Sequence, residues 1–256
     1  MSPGKMKKAH WHIVEGDADI PFVTVDQMRE VDRLLEEEYG ILLVQTMENA
    51  GRGLAELARA RFLESGSPEG RVLVLVGTGG NGGGGLACAR HLQNWGVGIE
   101  IFTTAPCSSF RKVPAIQLGI VTRLKVPVTH YVEGARLPSA DLIIDAVIGY
   151  SLRGAPKGEA SDLIRDANAH GAPILSLDIP SGLDATTGAI CQPAIKATAT
   201  LTLALPKTGL QTRAGLRHAG EVYLGDIGVP PQLYARPTLG LSVGPIFEKG
   251  GIVQLS

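Results

Sequence analysis

The 256 residues carry 24 Lys and Arg against 25 Asp and Glu, a formal net charge of −1, with 44% hydrophobic, 19% charged and 5% aromatic residues. That balance fills a sizeable core, and it excludes bulk electrostatic attraction to nucleic acid or an anionic membrane and any broad platform for stacked bases. No apolar run approaches the roughly 20 residues that span a bilayer, and the basic opening MSPGKMKKAHWHIVEG lacks the apolar stretch of a secretory signal.

In chain order, residues 1–23 show no period and read as an N-terminal arm. His10 and His12 flank Trp11 there, an arrangement that fits a packed or dimer-contacting tail better than a metal pair. A helix is predicted from a Thr24 cap, with Val25, Met28, Val31, Leu34 and Leu35 at spacings of three and four and a stop at Gly40. A second helix covers LLVQTMENAGRGLAELARARFLES. Strands and helices then alternate: VLVLV at 72–76, the helix GLACARHLQNWG, GIEIFTT at 98–104, a helix around 112–123 and the weaker strand VPVTHYV. DLIIDAVIG supplies a strand, EASDLIRDANAHG a helix and APILSLDIPSG another strand, before TATLTLALP and GEVYLGDIG. Continuously apolar strands with intervening helices predict a mostly parallel sheet buried on both faces, in one α/β domain over 24–235 with a tail at 236–256. Cys88, Cys107 and Cys191 are too few and scattered for a disulfide framework or zinc site. A cytoplasmic setting is therefore expected.

The loop after VLVLV is the most unusual stretch, with seven glycines among the nine residues Gly77 to Gly85. Gly77, Gly79 and Gly82 satisfy G-x-G-x-x-G between a strand and a helix, the pattern of a dinucleotide site. So glycine-rich a stretch satisfies many such patterns, however. The acidic residue such a site needs is also misplaced, because Glu100 lies early in its strand. No Lys-Ser or Lys-Thr follows, which excludes a P-loop. A packing turn would explain one or two glycines, whereas Gly82 to Gly85 each lower helix propensity by roughly 1 kcal/mol. Backbone approach to a ligand is the expected reason for them.

Two aspartates also close apolar strands. Asp145 precedes a flexible Gly149–Gly154 loop, and Asp178 precedes Pro180 and the Ser181-Gly182 turn. Either could merely cap the next helix. If the strands are parallel, both ends fall beside the glycine loop, where open α/β sheets bind ligands.

MENAGRGLAELA, GTGGNGGGGLACARHL, IIDAVIGYSLRG, LDIPSGLDATTG, LALPKTGL and GEVYLGDIGVP resemble, in the same order and similar spacing, the NAD(P)H-hydrate epimerases, the YjeF N-terminal domain family. The resemblance runs from about Thr24 to Pro230. It implies a Rossmann-like three-layer sandwich, often dimeric, in a stand-alone form. The implied activity interconverts the R and S epimers of hydrated NADH and NADPH (NADHX and NADPHX), so that an ADP- or ATP-dependent dehydratase can restore the coenzyme. It further implies one potassium ion per subunit at Asn81, Asp145 and Ser181. The implied substrate contacts are Gly80, Asn81, Gly82, Gly83 and Gly84, the phosphate loop Gly149, Tyr150, Ser151, Leu152, Arg153, Gly154 and Ala155, and the carboxylate of Asp178.

The chemistry suits those residues. The substrate carbon carries a hydroxyl and a ring nitrogen whose lone pair helps expel water, and water then returns on either face. That calls for a positioned carboxylate and stabilisation of positive charge, not redox chemistry or a nucleophile. Asp178 is the expected acid/base. The family's loop G-x-G-N-N-G-G-D-G reads GTGGNGGGG here, so Gly80 stands for an asparagine and Gly84 for the aspartate. The alternative reading is therefore a weakened or silent nucleotide-binding or scaffold member. Retention of Asn81, Asp145, Asp178 and Ser181 favours activity. Lys207 lies near a strand end and could reach a phosphate, His91 reads as a residue on the surface or just behind the site rather than a catalyst, and Glu48 and Asn49 are expected to fix their helix against the glycine loop.

Overall fold

A computed structural model describes residues 13–15, 20–63 and 70–255; His10, Trp11 and His12 lie outside them. The described chain opens with strand β1 (Ile13–Glu15) and helices α1 (Val25–Glu37) and α2 (Leu43–Arg61). Strand β2 (Arg71–Val76), helix α3 (Gly80–Asn94), β3 (Gly98–Thr103), α4 (Lys112–Arg123) and β4 (Val128–His130) form the first doubly wound half. The second half comprises β5 (Leu142–Ala146), α5 (Gly158–Ala169), β6 (Ile174–Leu177), β7 (Ala199–Leu203), α6 (Arg213–Ala219) and β8 (Glu221–Gly225). A short α7 (Pro231–Tyr234) and β9 (Ile252–Gln254) close the chain.

These strands make one nine-stranded sheet in the order β1-β9-β8-β7-β6-β5-β2-β3-β4. Every neighbour is parallel except β8 with β9. The alternating strand and helix pattern therefore delivers the predicted α/β class. The edge differs from the sequence reading. Three residues of the N-terminal arm and three of the C-terminal tail pair with each other, Ile13 beside Ile252, and extend the sheet. Segments so short carry no period of their own, so sequence alone gives them no strand signal.

Helix α1 starts where the sequence places it, because Thr24 and Gln27 form a reciprocal capping box. Its apolar stripe, Met28, Val31, Leu34 and Leu35, is buried with Leu205, Leu233 and Tyr234. On one face of the sheet, Val72, Val74, Val76, Leu142 and Ile144 pack under Leu54, Leu57, Leu86 and Leu92 of α2 and α3. The alternate residues Leu73, Leu75 and Ile143 turn to the other face against Leu163, Ile164 and Ala167 of α5. Each such Val, Leu or Ile side chain contributes roughly 1.5–3 kcal/mol when fully buried. This two-sided burial is why the strands read as continuously apolar.

Helix α3 begins five residues earlier than the GLACARHLQNWG reading, at Gly80, and takes Gly82 to Gly85 into its first turns. There the glycines serve close packing. A Cβ on Gly82 would stand 1.8 Å from the Gly77 carbonyl, on Gly83 2.2 Å from Met47 Sδ, on Gly84 2.6 Å from Leu177 Cδ2 and on Gly85 2.5 Å from Ala146 Cβ. Gly51 of α2 meets the same helix, its Cβ position 2.4 Å from Ala87 Cβ and 2.7 Å from the Gly84 carbonyl. Close packing thus accounts for these four glycines, and Gly84 also borders the cavity described below. They let α3 sit against α2 and the sheet, and the lost helix propensity is offset by that packing. Only Gly79 and Gly80 of the loop face open space.

Candidate active site

Strand order reverses between β2 and β5: the chain winds one way through β3 and β4, and the other way through β6 and β7. The loops leaving the carboxyl ends of β2 and β5 therefore diverge and open a crevice. A cavity of about 530 Å³ occupies it, lined among others by Gly77, Gly79, Gly80, Asn81, Val147, Gly149, Tyr150, Asp178 and Lys207. That volume lies within the range of small-molecule and cofactor sites.

Asp178 follows β6 with φ +68°, a left-handed conformation that aspartate tolerates better than most residues. Its amide donates to the Leu201 carbonyl at 2.7 Å, which anchors this turn to β7. One carboxylate oxygen, Oδ2, accepts from the Tyr150 amide at 3.0 Å. The other, Oδ1, is ion-paired with the buried Lys207 ammonium. Lys207 directs its hydrogen bonds elsewhere, to the Leu203 carbonyl at 2.8 Å and Thr202 Oγ1 at 3.4 Å. Among the described residues, Oδ1 thus has a counter-charge but no aligned donor. In place of the phosphate contact that the sequence suggested for Lys207, the structure shows a buried pair whose partner is the candidate acid/base.

Asp145 ends β5 fully buried, behind the cavity wall rather than on it. Its oxygens accept from Ser181 Oγ at 2.6 Å, the Ser181 amide at 2.9 Å, Ser176 Oγ at 2.8 Å and the Val147 amide at 3.3 Å. Ser181 Oγ in turn accepts from the Ile148 amide at 2.8 Å, so the pair holds the β5 loop in place. Burial raises the Asp145 pKa above the ordinary carboxylate value, and these hydrogen bonds act against it. All four donors are Ser or backbone groups and none is a cation.

The potassium ion implied by the resemblance can be tested on these groups. Among the described residues, Asp145 is a buried carboxylate without a cationic partner, and Asn81 has a buried amide nitrogen with no hydrogen-bond partner. Asn81 lies against the β5 loop, its carbonyl oxygen 3.1 Å from a Cβ placed on Gly149. Turning the amide exchanges oxygen for nitrogen. Carboxylate, amide and hydroxyl oxygens are the hard donors an alkali cation takes. The residues fit the ion.

Of the expected substrate contacts, Gly80, Asn81, Gly84, Gly149, Tyr150, Ser151 and Asp178 line the cavity. Gly82 and Gly83 are buried in packing, and Leu152, Arg153, Gly154 and Ala155 lie beyond the lining on the same loop. Glu100 stands mid-strand near Arg71, away from the crevice, as the rejection of an ordinary dinucleotide site required. Glu48 accepts from Arg90 and lies 2.8 Å from His91 Nε2, tying α2 to α3. Of the two positions expected for His91, on the surface or just behind the site, its burial excludes the first. Asn49 donates to the Ile227 carbonyl at 3.2 Å. The sequence reading missed Asp32 of α1, which also lines the cavity and accepts from the Tyr150 hydroxyl. Its signal was there to read: an acidic residue between Val31 and Leu34, on the buried side of an amphipathic helix.

Residues 44–209 match a family model described as YjeF-related protein N-terminus. The chain belongs to this family. An NAD(P)H-hydrate epimerase of Dehalogenimonas lykanthroporepellens is 45% identical over 246 residues, covering 94% of this chain and 95% of that protein. Another of that name, from Rhodopirellula baltica, is 37% identical across 84% of this chain and 87% of its own length. The bifunctional NAD(P)H-hydrate repair enzyme of Moorella thermoacetica is 34% identical over 83% of this chain, and only 41% of that longer protein is covered. Among solved structures, that of yeast ynu0, YNL200c, superposes with a TM-score of 0.79 at 26% identity, over 92% of this chain and all of that one.

Proposed function

We propose that this protein is an NAD(P)H-hydrate epimerase, an isomerase that interconverts the R and S forms of hydrated NADH and NADPH for nicotinamide nucleotide repair. The observation that carries the reading is the Asp178–Lys207 pair facing the crevice at the β2–β5 fork, in a chain so closely related to proteins bearing that name. Asp178 moves the proton at the substrate oxygen, as the ring nitrogen's lone pair expels water and leaves a cationic ring. The carboxylate stabilises that charge, and the surrounding apolar wall of Met28, Met47 and Leu177 strengthens the interaction by excluding bulk water. The exposed backbone at Gly79 and Gly80 and the loop from Gly149 to Ala155 are where the nucleotide's phosphates dock.

One potassium ion per subunit sits at Asn81, Asp145 and Ser181 in this reading. When bound it would supply a positive charge to Asp145 and order the β2 and β5 loops. The protein acts as a homodimer in the cytoplasm, a setting consistent with its unpaired cysteines. A separate ADP- or ATP-dependent dehydratase consumes the S product, and the longer bifunctional relatives support that link. The test is epimerisation of R-NADHX in potassium buffer, trapping S-NADHX with an S-specific dehydratase and subtracting the uncatalysed rate. The expected result is catalysis that Asp178→Ala abolishes. A wild-type protein that binds the nucleotide without accelerating epimerisation would instead establish the silent binding module.

A further inference from the structure

Epimerisation brings water to the two opposite faces of one ring carbon, and a carboxylate fixed on one face reaches only one of them. The cavity holds a second carboxyl. Asp32 lies on α1, a different structural layer from Asp178, and both line the same space. Tyr150 links them: its amide donates to Asp178 Oδ2 at 3.0 Å, and its hydroxyl donates to Asp32 Oδ2. The two carboxyls are therefore held at different polar groups of one tyrosine, its amide and its hydroxyl, rather than sharing one donor and competing for one proton. Enzymes that deliver water opposite a departing group use two such carboxyls, roughly 6.5–9.5 Å apart.

Their surroundings also differ. Asp178 is paired with an ammonium, whereas no Lys or Arg is ion-paired with Asp32 among the described residues. Burial raises the Asp32 pKa above its ordinary value, repulsion from Asp178 adds to that, and the Tyr150 hydrogen bond and the more distant Lys207 oppose it. Contrasting environments of this kind separate an acid from a base.

Resting on the epimerase reading, we infer that Asp32 is a second proton-transfer group, serving the ring face opposite the one served by Asp178. In one direction Asp32 gives its proton to the hydroxyl as the C–O bond breaks, the nitrogen lone pair forms C=N⁺, and water departs. Water then adds to the same carbon from the other face and yields its proton to Asp178. The reverse direction exchanges the roles, and solvent restores the protons between turnovers. Tyr150 is a positioning residue that holds both carboxyls.

The arrangement has a signature that a structural role for Asp32 lacks. Departure and return of water on one face needs one carboxyl and exchanges the hydroxyl oxygen with solvent without changing configuration. Epimerisation needs both. The experiment incubates each purified NADHX epimer in H₂¹⁸O with wild type, Asp32→Asn, Asp32→Glu and Asp178→Asn, then separates the epimers and weighs the label by mass spectrometry. Asp32→Asn should lose epimerisation about 100-fold or more while still exchanging oxygen in one epimer only. Asp178→Asn should exchange only the other, and Asp32→Glu should regain part of the epimerisation. Asp32→Asn that epimerises within about threefold of wild type, or that loses exchange in both epimers in parallel, overturns the inference. If Asp178→Asn fails to fold, Asp32→Asn decides alone. A wild-type protein that neither epimerises nor exchanges sinks the epimerase reading itself, whereas the two overturning results for Asp32→Asn leave it standing.

Discussion

Asp145 and Asp178 look alike in the sequence, each an aspartate at the end of a buried parallel strand, yet their surroundings give them different work. Asp145 is enclosed by four donors behind the cavity wall, whereas Asp178 lines the cavity with one backbone donor, a buried ammonium and a buried oxygen that receives no hydrogen bond from the described residues. A carboxylate saturated with hydrogen bonds fixes loops, and one left partly unsatisfied beside a cavity can accept a substrate proton. The chemical difference arises from residues far away in sequence, Lys207 for one and Ser176 and Ser181 for the other.

The largest expected effect comes from breaking the reactive pair. Asp178→Ala should reduce epimerisation by about 10²–10⁴-fold and leave Lys207 buried without its partner, which costs about 3–5 kcal/mol. Adding Lys207→Met removes the stranded charge. Chemical denaturation should then show recovered stability with activity still absent. If the double variant stays as unstable as the single one, Lys207 is not the reason Asp178 matters to the fold.

The same comparison shows how far the sequence could be read. The α/β alternation, the Thr24 cap and both strand-end aspartates are local signals, and each stands where the sequence puts it. The fork between β2 and β5 was legible only conditionally, since it needed the strands to be parallel. Three features escaped because they depend on contacts between distant residues. The glycines of α3 answer to Met47, Leu177 and Ala146, β1 needs β9 as its partner, and Asp32 reaches the site only because α1 packs over it.

Replacing Asp145 sharpens the contrast through charge. Asp145→Asn keeps the shape but removes the buried negative charge, and in the epimerase reading it removes the reason for potassium. Potassium, compared with a bulky organic cation, should raise the melting temperature of wild type by several degrees and leave that of the variant unchanged. The pH dependence has a definite sign. Because the folded pKa is raised, the folded state binds a proton more readily than the unfolded chain. Without potassium, wild-type stability relative to Asp145→Asn should therefore rise as pH falls through the folded pKa toward 3.8, the ordinary value. A fall over that interval would show that Asp145 is stabilised as the anion by the protein alone.

A smaller effect is expected at Gly84, where the family loop has aspartate. Leu177 Cδ2 occupies the space a Cβ would need, at 2.6 Å. Gly84→Asp alone should destabilise by about 1–3 kcal/mol through overpacking and gain no rate. Pairing it with Leu177→Ala opens the space, and the measured coupling of the two changes should be favourable. Additive effects would mean that Leu177 moves aside freely, and that this loop's glycine is not a packing response to its neighbour.

The smallest effect separates the two kinds of glycine in the loop. Gly80 is the first residue of α3, its φ is not in the left-handed region, and no atom of the described residues lies within 4 Å of a Cβ placed there. Gly80→Ala should therefore stabilise the fold by about 0.4–1 kcal/mol, chiefly by restricting the unfolded chain. It should also raise the KM for NADHX modestly, because the new methyl narrows the surface on which the nucleotide docks. Gly82 offers the opposite case two residues later, where the Gly77 carbonyl leaves no room for a methyl. Stability gained at Gly80 with KM unchanged would remove that residue from the docking surface. The ligand contact would then fall to Gly79 and the β5 loop.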